Sequence, residues 1–322
     1  MSMATGALLP SKPLTPSVNH RRLFPGRPTI TISGPPTTTS LSLPLRSSPD
    51  YWASANADIQ AHLERAIQIR HPLAVSEPMR HLTFSAPETT APALCLLACE
   101  LVGGSRDQAV AAGSALRLVH AAASAHEGLL SSRPRTDGPN FGPNIELLTG
   151  DGLTPFGFEL LARSEPDHSN PTTRAESSSR VLRAIIEIAR ASGSHGMVEA
   201  RYNEIEMIDG SGGDDEEWVE RVCKKKEGEI HACAGACGAI LGGGGEEEIE
   251  RLRRYGVYVG MIRGIVAAKR VGRGGRRWLE RKVGELRELG LNELKGFNRE
   301  KVEPIASLML TSEHDRRLRM TD

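Results

Sequence analysis

The chain has 322 residues with 40 basic and 40 acidic side chains, and only 4% of its residues are aromatic. A core with so few aromatic residues must be built from aliphatic side chains, which favours helices over a β-sandwich. The charge is unevenly distributed, because residues 1–49 hold five bases and no acid. Residues 50–322 therefore hold 35 bases against 40 acids, and an acidic domain of this kind is a poor candidate for nucleic-acid binding.

Residues 1–49 are rich in Ser, Thr and Pro, and the first acid is Asp50. This composition is typical of a chloroplast transit peptide, with a merely disordered tail as the alternative. We predict that residues 1–49 are the transit peptide and that residues 50–322 form one folded domain. No stretch approaches the ~20 apolar residues that a transmembrane helix needs, so the sequence predicts no membrane span.

From about residue 55 onward, apolar residues recur three and four positions apart, and the alternation typical of strands is nearly absent. The sequence therefore predicts an all-α domain of roughly ten helices. Glycine, proline and polar runs indicate where these helices break. The predicted breaks are Gly103–Gly104, 131–144, 167–173, 209–215 and 242–245.

Charge and capping patterns predict two local features of the later helices. In the pairs Glu247 with Arg251 and Glu250 with Arg254, the acid precedes the base by four residues, which is the favourable order for ion pairs on an exposed helix face. Asn298 follows a glycine break and is expected to cap the last helix.

The stretch LVHAAASAHEGLL, residues 118–130, has the composition of a buried helix but carries His120, His126 and Glu127. Six residues along a helix is a rotation of about 240°, so the two histidines do not share a face. A zinc pair would want a spacing of four, and one glutamate is too few ligands for a hard cation. We therefore expect these histidines to be satisfied core or interface residues.

Four of the five cysteines form two pairs with a spacing of four, Cys95 with Cys99 and Cys233 with Cys237. On a helix this spacing places both thiols on one face. Cysteine behaves as a small apolar side chain, so the stretch CAGAC predicts close helix packing or a subunit contact. Redox pairing and a metal site are the alternatives.

A basic stretch, KRVGRGGRRWLERK, occupies residues 269–282. Such a patch could meet phosphates or an anionic membrane surface. A solvated loop before a helix explains it equally well.

The chain from about residue 55 to its end resembles the trans-prenyltransferases of the plastid geranylgeranyl diphosphate synthase type. No single landmark of the resemblance is specific, but together they cover most of the domain in the right order. The resemblance implies an isoprenoid-synthase-like helical bundle. The landmarks are MRHLTF, CLLACELVGG, LRLVH with AHE, LLTGD, CGAILGGG, YGVYVG and LKGFNREKVEPI.

Active members of that family hold Mg²⁺ through two Asp-rich helical segments, and here both are altered. The first would begin His-Asp-Asp, but this chain has Glu127 and Gly128 after the histidine. The second would end in an acid pair, but Ala267 and Ala268 stand there. Other diphosphate-binding positions are changed too, such as Arg201 for the usual glutamine, while Lys226 keeps the lysine of a Lys-Thr motif. The resemblance therefore implies no catalytic residue and no bound cofactor, with Mg²⁺ held only by a partner.

The altered acids narrow the resemblance to the non-catalytic small subunits of plant geranyl and geranylgeranyl diphosphate synthases. Those subunits carry two Cys-x-x-x-Cys motifs implicated in pairing with a catalytic large subunit, so the resemblance implies partner binding by Cys95, Cys99, Cys233 and Cys237. It implies a heterodimer in the chloroplast stroma that raises the partner's activity or alters product length, with peripheral thylakoid contact left open.

Three alternatives remain at the level of sequence. The chain could serve a geranyl diphosphate synthase for monoterpenes. It could be an independent enzyme with thiol chemistry, which would need a low-pKa cysteine beside a base. It could also be a self-associating scaffold without a prenyltransferase partner.

Overall fold

The computed structural model describes residues 49–130, 141–164, 171–208, 216–270 and 275–309. These ranges contain twelve α-helices and no β-strand, which confirms the predicted all-α class. The predicted transit peptide, 1–49, lies outside them except for Pro49, which begins the first helix. The helices are α1 (Pro49–Ala66), α2 (Leu73–Ser85), α3 (Ala91–Leu101), α4 (Arg106–Leu130), α5 (Pro143–Ala162), α6 (Pro171–Ser192), α7 (Met197–Ile208), α8 (Glu216–Cys223), α9 (Glu229–Leu241), α10 (Glu246–Arg270), α11 (Arg276–Glu293) and α12 (Arg299–Ala306).

Helices α3 and α9 form the centre of the bundle. Every residue of α9 from Ile230 to Leu241 is buried, and in α3 Glu100 alone reaches the surface. Because a helix that is apolar all round must be covered on every side, α4, α6 and α10 pack around these two helices. Among the described helices, none is long and apolar enough to cross a membrane.

Glycines let the central helices touch backbone to backbone. A Cβ added at Gly238 of α9 would overlap the carbonyl oxygen of Cys95 on α3, and one at Gly242 would lie 2.7 Å from the Cys99 carbonyl oxygen. On another side of α9, a Cβ at Gly235 would overlap the carbonyl oxygen of Leu252 on α10. The close helix contact that CAGAC predicts is therefore made within the chain.

The predicted breaks at Gly103–Gly104 and 242–245 are confirmed, because each lies between two helices. The predicted breaks 131–144, 167–173 and 209–215 lie wholly or mostly outside the described residues. The breaks at 67–72, 86–90 and 193–196 were not predicted. Gly103, between α3 and α4, and Gly243, between α9 and α10, both have positive φ angles, of 104° and 80°. Glycine adopts this conformation without the steric strain of a Cβ. Asn298 caps α12 as predicted, because its Oδ1 accepts a hydrogen bond from the Glu300 amide at 3.0 Å.

The two predicted i,i+4 ion pairs on α10 are wrong. Arg254 instead donates both ends of its guanidinium to Glu293 on α11, at 2.9 Å each. Arg251 lies over the Phe297 ring and donates to the Lys295 carbonyl oxygen. Packing of α11 and the following turn against α10 offers two-pronged or stacked partners, which outcompete weak neighbours on the same helix.

Candidate functional site

Four charged side chains meet where the end of α4, helix α7 and the turn before α9 come together. Glu127 of α4 is 3.3 Å from the Arg201 guanidinium and 3.2 Å from the Lys226 ammonium. Glu204 lies 2.7 Å from Arg201 and 2.9 Å from Lys226. We call Glu127, Arg201, Glu204 and Lys226 the charge cluster. Two carboxylates and two cations balance in it, so the cluster presents no net charge to a ligand.

A π-helical turn, Lys224–Gly228, carries Lys226 and joins α8 to α9. Such turns are rare and frequently occur at functional sites. Lys225 turns to Glu199 of α7 at 3.1 Å and to Glu229 at 2.8 Å, whereas Lys226 enters the charge cluster. Two consecutive lysines are thereby used to tie the turn to α7.

His231 of α9, four residues after Glu227, is fully buried and neutral. Its Nδ1–H donates to the Glu227 carbonyl oxygen at 2.7 Å, so Nε2 is free to accept from the Thr90 hydroxyl at 3.0 Å. Burial first, and then the positive charge of Arg263, lower the pKa of His231 to about 3. A neutral ring with both nitrogens satisfied stabilises the fold and has no capacity left for a metal.

The two histidines of LVHAAASAHEGLL point to different elements, as their spacing predicts. His120 donates from Nε2 to the Pro87 carbonyl oxygen at 3.0 Å, and burial followed by Arg117 lowers its pKa to about 4. His126 faces α5, where its Nε2 is 3.2 Å from Asp151 Oδ1 but lacks hydrogen-bond geometry. Within the described ranges no three His, Cys, Asp or Glu side chains are placed to hold a metal ion.

The positions that correspond to the two Asp-rich segments do not fit Mg²⁺. Gly128 offers no side-chain oxygen, and Ala267 and Ala268, at the end of α10, offer methyl groups. Glu127 has the needed chemistry, but its carboxylate is paired with two cations. Mg²⁺ prefers several carboxylate oxygens beside water and phosphate, which these residues cannot supply.

The cysteines lie in an environment opposite to the one that thiol catalysis requires. All five are buried, and burial raises the pKa of the Cys95 thiol well above its ordinary value and that of Cys99 to about 12. For Cys237, a hydrogen bond with Cys233, followed by burial, raises the pKa in the same direction. A reactive cysteine needs a lowered pKa and an accessible sulfur, so the geometry gives no support to a thiol-dependent enzyme. Partner binding by the two pairs stays a prediction.

Sequence reasoning singled out Arg201 and Lys226 but missed Glu204, which holds both cations. One signal was available, because Glu204 follows Arg201 by three residues and such pairs face each other on a helix. The basic stretch 269–282 is described only in part. In the described part, the Lys282 ammonium forms an ion pair with Glu220 at 2.9 Å. At least one positive charge of the basic stretch is therefore neutralised within the chain.

Known proteins resemble the chain over nearly its whole described length, although no family model matches it. The heterodimeric geranylgeranyl pyrophosphate synthase small subunit 2 of Cannabis sativa, a chloroplastic protein, is 44% identical over 276 residues, 81% of this chain and 90% of that one. The geranyl diphosphate synthase small subunit structure from Antirrhinum majus is 47% identical and has a TM-score of 0.72, covering 82% of this chain and 99% of that one. A chain of the mint heterotetrameric geranyl pyrophosphate synthase is 49% identical, with a TM-score of 0.71 and coverage of 81% and 99%.

The helical fold therefore defines a protein of the prenyl diphosphate synthase class, as the sequence landmarks indicate. The chain belongs to the family of small subunits of the plant heterodimeric geranylgeranyl pyrophosphate synthases. These relatives are chloroplastic, and this chain is likewise a plastid protein.

Replacement of Glu204 with glutamine is expected to lower the free energy of unfolding by about 1–2 kcal/mol, because two part-buried cations then share Glu127 alone. Burial opposes the charge of Lys226, but Glu204 and Glu127 outweigh it and raise its pKa. This stabilisation is therefore full below the unfolded lysine pKa of about 10.4 and is lost only as the pH rises through the higher folded value. Urea denaturation at pH 7, in low and high salt, measures the loss, which should shrink with salt.

Glu217→Gln is the matched control for this prediction. Glu217 pairs with Arg221 at 3.4 Å on the exposed face of α8, and such a pair contributes little. Equal losses for the two variants would show that the charge cluster is an ordinary surface network.

Proposed function

We propose that the chain is a non-catalytic subunit that pairs with a geranylgeranyl pyrophosphate synthase large subunit in the plastid and changes that partner's activity or product length. The charge cluster carries this proposal. Direct ion pairs between Glu127, Arg201 and Lys226 stand where the family's active members place acids, metal and diphosphate. Loss of one electrostatic stabiliser in an active site typically costs ~10²–10³ in rate, so loss of both acid segments leaves no basis for turnover. In this proposal the chain binds no cofactor, and Mg²⁺ belongs to the partner.

The purified chain tests this directly, alone and with a plant large subunit, in the presence of isopentenyl diphosphate, an allylic diphosphate and Mg²⁺. We expect no product from the chain alone, a co-purifying complex, and a changed rate or product length when both are present. Robust turnover by the chain alone would overturn the proposal. A solution mass that shows only copies of this chain, with no complex formed, would instead favour a self-associating scaffold.

Two products are candidates for release by the complex, geranylgeranyl diphosphate and geranyl diphosphate. The curated relative at 44% identity is named for the geranylgeranyl product, whereas the solved structures at 47% and 49% are named for the geranyl product. Both are relatives of similar closeness, so we keep geranyl diphosphate as the second candidate. Chain-length analysis of the products of the reconstituted complex, C₂₀ against C₁₀, decides between them.

The outer face of α6 is the surface we propose for the partner. Leu182 and Ile186 are exposed by 59% and 44%, although both are large and apolar. The exposed positions on this face follow a spacing of four and three, which is the pattern of a helix that packs against another helix. Nothing in the described ranges covers them, and neighbouring α5 exposes Leu148 by 66%. The residues of the α6 face are Ala175, Ser179, Leu182, Ile186 and Ala189.

The double variant Leu182→Glu, Ile186→Glu is expected to weaken the complex at least thirtyfold, because two carboxylates would be buried without partners. Leu289→Glu, on the exposed side of α11, is the matched control and should leave the affinity within twofold. Titration of each variant with the large subunit in a calorimeter gives the dissociation constants. Equal affinities for the two variants would place the interface elsewhere.

We place the complex in the stroma, and the basic segment 269–282 leaves peripheral contact with thylakoid membranes as the alternative. Fractionated chloroplasts test this, since a membrane-bound pool that salt releases would support electrostatic attachment.

A further inference from the structure

We infer that Cys237 acts from inside the chain as a positioning residue, which fixes α6 on α9 so that α6 presents its outer face to the large subunit. The inference rests on the proposed function, and it assigns the cysteine pair of α9 a role in pairing without contact between its sulfurs and the partner.

The thiols are out of reach of any partner. Cys95, Cys99 and Cys237 have no exposed surface, and Cys233 is 3% exposed. Cys95 and Cys99 lie on α3, Cys233 and Cys237 lie on α9, and the surrounding α4, α6 and α10 pack around these two central helices. A partner that docked on any of these outer helices would still not touch a sulfur atom.

Helix α9 is in close backbone contact with other helices on two of its sides. Gly238 meets the backbone of α3, and Gly235 meets the backbone of α10, with no room for a Cβ at either position. These backbone contacts leave α9 little room to shift against either helix. The position of any element that packs on its third side is therefore set by the side chains between them.

Cys237 is one of the α9 side chains that face α6 on that third side. Its Sγ–H donates to the Ala184 carbonyl oxygen of α6 at 3.6 Å, and its sulfur is 3.8 Å from the sulfur of Cys233. Ala184 lies two residues from both Leu182 and Ile186, and two residues of helix are a rotation of about 200°. The inner face of α6 thus rests on Cys237 directly behind the two exposed apolar residues.

The size of the Cys237 side chain then contributes to the distance between α6 and α9 at Ala184. A larger residue pushes α6 outward, since packed interiors transmit such a change and do not absorb it. The α6 face would lose its fit to a rigid partner, even though Leu182 and Ile186 remain in place.

Affinity measurements on three cysteine variants test the inference. We expect Cys237→Leu to raise the dissociation constant of the complex with the large subunit about tenfold, and Cys237→Ala, which retains the fold, to raise it about threefold. Cys223→Leu is the matched control, since Cys223 is also buried, at 6% exposure, but packs against Gly264 of α10. It should lower thermal stability as Cys237→Leu does and leave the affinity within twofold.

Two further readouts separate positioning from general destabilisation. In the Leu182→Glu, Ile186→Glu background, Cys237→Leu should have no further effect on affinity, because the face it positions is already lost. A maleimide should label no thiol of the native chain, alone or in the complex, in the minutes that label all five after denaturation.

Three results would overturn the inference. These are an affinity for Cys237→Leu and Cys237→Ala equal to that of the wild type, an equal loss for Cys223→Leu, or rapid labelling of Cys237 that the large subunit blocks. Failure of the wild-type chain to bind a large subunit at all would defeat the proposed function itself, so the two failures are distinguishable.

Discussion

Replacement of Gly238 with alanine is expected to lower the free energy of unfolding by about 2–3 kcal/mol. The new Cβ would overlap the Cys95 carbonyl oxygen and lie 2.8 Å from the Ala98 Cβ. Neither of these neighbours can rotate away, because one is backbone and the other is fixed to it. Helices α3 and α9 must therefore separate at the centre of the core, and this loss outweighs the ~1 kcal/mol that alanine gains in helix propensity.

Gly284→Ala is the matched control for this effect. Gly284 lies within α11, is exposed, and would have no atom within 4 Å of an added Cβ. The same chemical change there should raise the free energy of unfolding by up to about 1 kcal/mol. Urea denaturation of both variants at 25 °C provides the comparison. If both variants were stabilised, α3 and α9 would not be in backbone contact.

Acidification from pH 7 to pH 5 is expected to lower the free energy of unfolding by about 4 kcal/mol through His120 and His231. Their folded pKa values are about 4 and about 3, below the unfolded value of about 6.5. A lowered histidine pKa means that the stabilisation is full above pH 6.5 and is lost as the pH falls towards the folded value. Each histidine contributes about 2 kcal/mol over this interval.

The charged groups around the two histidine rings determine how much unfolding free energy is lost between pH 7 and pH 5. Arg117 and Arg263 oppose a second positive charge, and both act in the predicted direction. Glu227 acts the other way, because burial raises its pKa and it takes up a proton more readily in the folded chain. Its contribution therefore reduces the total.

The variant His120→Gln isolates one of the two contributions. It should reduce the loss between pH 7 and pH 5 by about 2 kcal/mol. His195→Gln, at an exposed position before α7, should leave the slope unchanged. Denaturant titrations at pH 7, 6 and 5 measure all three proteins. A slope for His120→Gln that matched the wild type would mean that this ring is protonated as easily in the folded chain as in the unfolded one.

The amino-acid sequence by itself determined the helical class, the helix breaks at 103–104 and 242–245, and the cap at Asn298. These features depend on short-range spacing and on the backbone preferences of single residues, which any chain segment carries with it. The sequence also showed that Gly128, Ala267 and Ala268 stand where acids would bind a metal. Residue type alone is enough to show that a metal ligand is missing.

Only the tertiary structure decided which charged side chains pair with Glu127 and where the cysteines lie. Glu127 and Lys226 are 99 residues apart in sequence, and no local rule pairs them. Arg254 likewise pairs with Glu293 and not with its sequence neighbour Glu250, because the packing of α11 against α10 places the Glu293 carboxylate closer. The cysteine spacing predicted one helix face but could not show that the face is turned inward, because burial is set by the helices that surround it and not by the pair itself.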